Sequence, residues 1–96
     1  MDEISISDII VSAAGRDQGK LFYVIGTEGV YVLIADGKNR KLEHPKRKKL
    51  KHVRKVTRFE SRIAAKIQNG ERVLNSELRR DLADYRQNHL SPDQGG

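Results

Sequence analysis

Apolar, β-branched and aromatic residues cluster in short runs through the first half of the chain, separated by turns that contain glycine. The run "IIVSA" at 9–13 reads as a first strand, with Ile4 as its earliest start. It leads into "AGRDQGK", where Gly15 and Gly19 bracket Arg16-Asp17-Gln18. Glycine takes positive φ at little cost, so two of them suit a tight, exposed polar loop. "KLFYVIG" is a second strand, "TEG" a turn and "VYVLIADG" a third strand ending at Asp36-Gly37, a hairpin signal. "NRKLEH" reads as a shorter, polar fourth strand, stopped by Pro45, which has no amide for a ladder. Lys46, Arg47, Lys48 and Lys49 follow. A strand would turn them to alternate faces and a helix would spread them around most of its circumference. Neither suits burial, so an exposed loop is expected. "LKHVRKV" then gives a short last strand at 51–56.

Five short strands in about 57 residues predict a mainly β fold, because so small a sheet gains by curling and closing to bury one face and hide its edges. The expected core is Ile10, Leu21, Tyr23, Ile25, Val30, Val32, Ile34, Leu42 and Val53, with Val24 and Tyr31 on the opposite faces of their strands. "YVLIA" is apolar on both faces, so the second face needs a cover. The last third of the chain can supply it. Phe59, Ile63 and Ile67 form a helical stripe over 59–68 that Asn69-Gly70 terminates. A second helix over 76–88 is capped by Asn75 or Ser76 and lined by Leu78, Leu82 and Tyr85. Glu77, Arg80 and Asp81 form its charge-balanced outer face. The expected division is a barrel at 1–57, a helical extension at 58–90 and a disordered tail at 91–96.

Composition narrows the chemistry. The chain has 96 residues and no cysteine, so disulfides, thiolate metal sites and cysteine nucleophiles are excluded. The three histidines, His44, His52 and His89, share no close ligand spacing, and neither a metal nor another cofactor is expected. No long apolar run and no leader pattern is present, which leads to the expectation of a cytoplasmic protein with no membrane partner. Charge is more telling. Residues 36–62 hold 12 Lys/Arg against 3 Asp/Glu, whereas 1–35 hold 2 against 5 and 63–96 hold 5 against 5. One segment thus carries the whole positive excess, more densely than solubility requires, and a polyanion is the partner such a tract fits.

The blocks "IIVSAAGRDQGK", "FYVIG" and "VYVLIADGKNRKLEHPKRKKLKHV" resemble, in order and spacing, the KOW module of RNA-binding proteins related to archaeal and eukaryotic large-subunit ribosomal proteins. The resemblance covers 9–56. It rests on Ser12, Gly15-Arg16-Asp17 with Gly19, Ala35-Asp36-Gly37, Arg40-Lys41, Pro45-Lys46 and Leu50-Lys51-His52. Many KOW motifs carry a glycine shortly before the first apolar run, and here that stretch is Ser7-Asp8. The resemblance implies an SH3-like barrel whose loop and basic surface bind RNA, generally ribosomal RNA. Gly15 and Gly19 would shape the loop, Asp17 would fix it, and Arg16 and Lys20 would present charge from it. Lys38, Arg40, Lys41, Lys46, Arg47, Lys48, Lys49, Lys51 and His52 would form the wider footprint.

Read on chemistry alone, Asp17 is expected to accept nearby backbone N–H groups, or to pair with Arg16. Arg16 offers a planar fork for phosphate or for stacking on an unpaired base. Catalysis finds no support: no hydroxyl sits in a nucleophile setting, no carboxylate pair lies near a histidine, and "GRDQG" is no phosphate-cradling loop. The expected function is therefore non-enzymatic RNA binding by a monomer, in a structural or ribosome-associated role. The alternative is a module docking on a protein of a translation or transcription assembly.

Overall fold

Leu21–Glu28 form the longest strand, β2, and the rest of the molecule is arranged around it. The computed structural model describes residues 3–57 and 61–90. Before β2 comes β1 (Ile9–Ser12); after it come β3 (Tyr31–Ala35), β4 (Lys46–Lys49), β5 (Val53–Thr57) and two helices, α1 (Arg62–Gln68) and α2 (Asn75–Tyr85). A 3-10 turn, Leu50–His52, joins β4 to β5, and one wide π-type turn, Arg86–Leu90, prolongs α2.

The strands form a single antiparallel sheet in the order β4-β3-β2-β1-β5. This sheet is open, and the expected SH3-like barrel is not formed. β4 pairs only with β3, and β5 only with β1, so the two remain edges with no ladder between them. The needs that argued for closure are met otherwise. Edge β4 is four consecutive cations, which disfavours pairing with another strand. Helices cover one face, and the apolar residues of the other bury one another. Two register shifts, between Val24 and Gly26 in β2 and between Ile9 and Ile10 where β1 meets β5, mark irregularities of the kind that bend a sheet.

The core is accordingly double. On one face Ile9, Leu21, Tyr23 and Ala35 pack with Ile63, Ala64, Leu78, Leu82 and Tyr85 of the helices. On the other Ile10, Phe22, Val24, Val32, Ile34 and Val53 pack together, with Ile4 and Leu50 beside them. The single core expected from the sequence mixed these two sets. Val30, placed in it by alternation, sits in the β2–β3 turn and is 63% exposed. Ile25 and Leu42 are half-buried.

α1 begins later than the expected 59, whereas α2 with its π-type turn spans the expected 76–88. Ser61 caps α1, its Oγ accepting the Ala64 amide at 3.0 Å, and Phe59 lies outside the described residues. The expected stop holds: Gly70 has φ +72°, with Gly70 N–H donating to Ile67 and Glu71 N–H to Lys66, a Schellman motif. In α2, Leu78, Leu82 and Tyr85 are buried as expected. Asp81, expected outside, points inward, where its carboxylate accepts from the Tyr23 hydroxyl and from Ser61 Oγ at 2.9 Å. Burial, and then the bond to Asp81, push the Tyr23 hydroxyl far above its ordinary pKa. Glu77 pairs with Lys66 of α1 at 3.2 Å rather than with Arg80.

The stretch "NRKLEH" is not a strand. Its amides are taken locally: Asp36 Oδ1 accepts from Lys38 N–H at 2.9 Å and Arg40 N–H at 2.8 Å, and Lys41 C=O accepts from His44 N–H. Asn75, expected as a cap, lies inside α2, where its Oδ1 accepts the Leu42 amide and its Nδ2 donates to Glu43, both at 2.8 Å. The amide of Asn75, ahead of the cationic neighbours, holds the Glu43 carboxyl below its usual range. The 36–45 connection is thus an irregular loop pinned to α2, and the ladder position expected for it belongs to β4.

Candidate nucleic-acid interface

The loop 12–20 between β1 and β2 is built by backbone geometry that two glycines permit. Gly15 and Gly19 have φ +80° and +86°. The loop closes on itself through Gln18 N–H to Gly15 C=O, Lys20 N–H to Asp17 C=O and Gly19 N–H to Ser12 C=O, at 2.8–3.1 Å. Ser12 is buried, its Oγ donating to Ala14 C=O at 3.0 Å. Among the described residues the Asp17 side chain bonds neither to backbone amides nor to Arg16. It is buried, and its Oδ2 accepts from Arg40 Nη2 at 3.0 Å and Nε at 3.3 Å. Arg16 is exposed and free of ion pairs among the described residues.

Lys46, Arg47, Lys48 and Lys49 are the strand β4, not a loop. Their amides enter the ladder with β3 in the register Tyr31↔Lys49, Val32↔Lys48, Leu33↔Arg47 and Ile34↔Lys46. Strand alternation divides the four cations. Lys46 and Lys48 share the face of Val32 and Ile34 and are half-buried, while Arg47 and Lys49 are exposed on the other. Lys48 Nζ donates to Ala14 C=O at 2.8 Å, bringing this face of β4 to loop 12–20. Arg47 lies over the Tyr31 ring at 4.1 Å from its centroid, with Glu28 3.6 Å away. Both charges of that ion pair are more than half exposed, so it contributes little. The cation–π contact was not foreseen; its only sequence signal is the spacing of Tyr31 and Arg47 across a pairing that assumed β4.

Three contacts distant in sequence therefore converge on loop 12–20: Arg40 on Asp17, Lys48 on Ala14, and Ala13 N–H on His52 C=O at 2.8 Å. They tie the 36–45 loop, β4 and the 3-10 turn to the glycine loop. Arg40 is spent on Asp17, so its charge is offset. Lys48 meets a neutral carbonyl and has no ion-pair partner among the described residues. Lys20, Lys38, Lys41 and Lys51 are exposed, and His52 is half-buried. Arg47 and Lys49 stand apart on the opposite face.

Ser7 is the one described non-glycine residue with positive φ, at +77°. It is fully buried, and its Oγ accepts from Gln68 Nε2 at 2.8 Å. Beside it the buried Asp8 carboxylate faces Lys55 Nζ at 3.5 Å. No helix among the described residues is long and apolar enough to cross a membrane. In comparison with known proteins, no family model matches the chain and no curated protein does.

Proposed function

We propose that this protein is a non-catalytic, cytoplasmic RNA-binding protein that recognises RNA by shape and charge, with ribosomal RNA as the class its KOW resemblance favours. The observation that carries the reading is the convergence of the basic segments on loop 12–20. Residues 36–62 hold the chain's positive excess, and the ties through Arg40, Lys48 and His52 gather part of it around one glycine-shaped loop. Arg16 projects from that loop, and Lys20, Lys38, Lys41, Lys46 and Lys48 supply charge for phosphates. Arg40 acts as a positioning residue by holding Asp17.

Crosslinking in cells, followed by sequencing of the attached RNA, tests the class. A dominant ribosomal RNA footprint is expected; crosslinks to protein alone would replace this reading with docking on a translation or transcription assembly. A substitution tests the loop. Gly15→Val places a β-branched residue at φ +80°, at a cost of about 1–2 kcal/mol. The added Cβ would stand 3.4 Å from the flexible end of Lys48, so strain rather than collision dominates. The variant is expected to fold and to bind RNA several-fold more weakly by titration, because Arg16 is re-aimed. Unchanged affinity would take the loop out of the interface.

A further inference from the structure

The open sheet leaves a groove of about 610 Å³ beside the free edge of β5. One wall is β5 itself, and the other is the β2–β3 hairpin, from which Thr27 and Tyr31 line the space. Val32, Leu50 and Val53 give it an apolar lining from the sheet's second core. Its charged lining residues are Glu3, Arg54 and Lys55. Lys55 is engaged by the buried Asp8 carboxylate and by Glu3 C=O, at 3.5 and 3.4 Å. Arg54 is exposed and has no ion-pair partner among the described residues. Lys51, exposed beside Leu50, continues the basic tract to the groove.

We infer that this groove is a subsite for one unpaired nucleotide, a proposal that rests on the RNA-binding reading. The apolar lining of Val32, Leu50 and Val53 suits the flat face of a base, which packs there without regard to sequence. A free arginine at the rim suits the phosphate attached to it. The charge selects the occupant: Asp8 offsets Lys55, and against Glu3, the one carboxylate among the described lining residues, stand Arg54 and the adjacent Lys51, so an anionic ligand with an apolar body is complementary. Loop 12–20 and the Lys46/Lys48 face would meet backbone phosphates, whereas the groove would discriminate single-stranded from fully paired RNA.

The test compares a blunt RNA duplex with the same duplex carrying an unpaired tail of a few nucleotides. Wild type is expected to bind the tailed form about tenfold more tightly. Thr27→Trp, at an exposed strand position, fills the groove and is expected to abolish that preference while blunt-duplex affinity stays the same. Arg54→Gln is expected to reduce the preference as well. Circular dichroism of both variants establishes that they are folded. A preference that survives both substitutions overturns the subsite and leaves the basic tract standing, and failure of wild type to bind either RNA overturns both readings. An acidic peptide containing leucine is the competing occupant. If the substitutions abolish its binding and leave both RNAs unaffected, the groove docks protein and the nucleotide proposal fails.

Discussion

Alanine at position 37 is expected to lower stability by about 3–4 kcal/mol, a large share of the roughly 5–14 kcal/mol a chain of this length has. Gly37 is buried with φ +79°, and a Cβ there would stand 2.2 Å from the carbonyl oxygen of Asn75 and 3.1 Å from the amide nitrogen of Arg79. Positive φ alone costs about 1–2 kcal/mol. The collision adds about 1–3 kcal/mol, because it is with backbone in the first turns of α2 and no rotamer relieves it. Moving α2 away would also strain the Asn75 bonds to Leu42 and Glu43 and the donation of Arg79 Nη1 to Gly37 C=O at 3.0 Å. Gly29→Ala is the control. Gly29 has φ +60° but nothing within 4 Å of the added carbon, so it should cost only about 1–2 kcal/mol. Urea unfolding separates the two, with the Gly37 midpoint displaced by about 2–3 M. Equal midpoints for the two variants would mean that the 36–45 loop is not clamped to α2.

What the sequence made legible was local. Gly15 and Gly19 take the positive φ that their loop demanded, and Gly70 ends α1 as Asn69-Gly70 implied. Leu78, Leu82 and Tyr85 are the buried stripe that period 3.6 assigned. Each of these depends on residues within a turn or two of one another. The misreadings are of another kind. "NRKLEH" follows a hairpin signal and reads as a polar strand, but Asp36 and Asn75 bind its amides, and Asn75 is over 30 residues distant. Lys46, Arg47, Lys48 and Lys49 look unfit for a sheet until they are placed at its edge, where charge is an advantage. Asp81 looks like surface until Tyr23, a residue of β2, is brought against it. Closure of the sheet was inferred from the need to cover a face, and "YVLIA", apolar on both sides, indicated two faces to cover. The helices cover one of them without closing the sheet.

The basic strand yields the second large effect, and its geometry makes the expected result specific. One RNA backbone lying along a face of β4 can reach only the cations of that face, Lys46 and Lys48 or Arg47 and Lys49. The first pair adjoins loop 12–20 through the Lys48 bond to Ala14, so the proposed interface includes it. Replacing both lysines by glutamine should lower the slope of log affinity against log salt by about 1.4, at roughly 0.7 for each contact to single-stranded RNA. The same relation makes the loss about fivefold per contact near ~0.1 M salt, or about 25-fold for the pair. It should fall alike on a structured ribosomal fragment and an unrelated RNA, since phosphates carry little sequence information. Arg47/Lys49→Gln should change the slope by much less than one contact, because Arg47 is held over Tyr31 by the opposite face. Arg16→Ala should alter preference between the two RNAs more than it alters either slope. The measurement is titration of the three variants and wild type from about 50 to 300 mM salt. Equal slope losses for the two β4 pairs would show RNA engaging the edge from both sides. No loss for either pair would make β4 a charged edge that only prevents strand pairing, and would leave Arg16, Lys20, Lys38 and Lys41 to carry the interface.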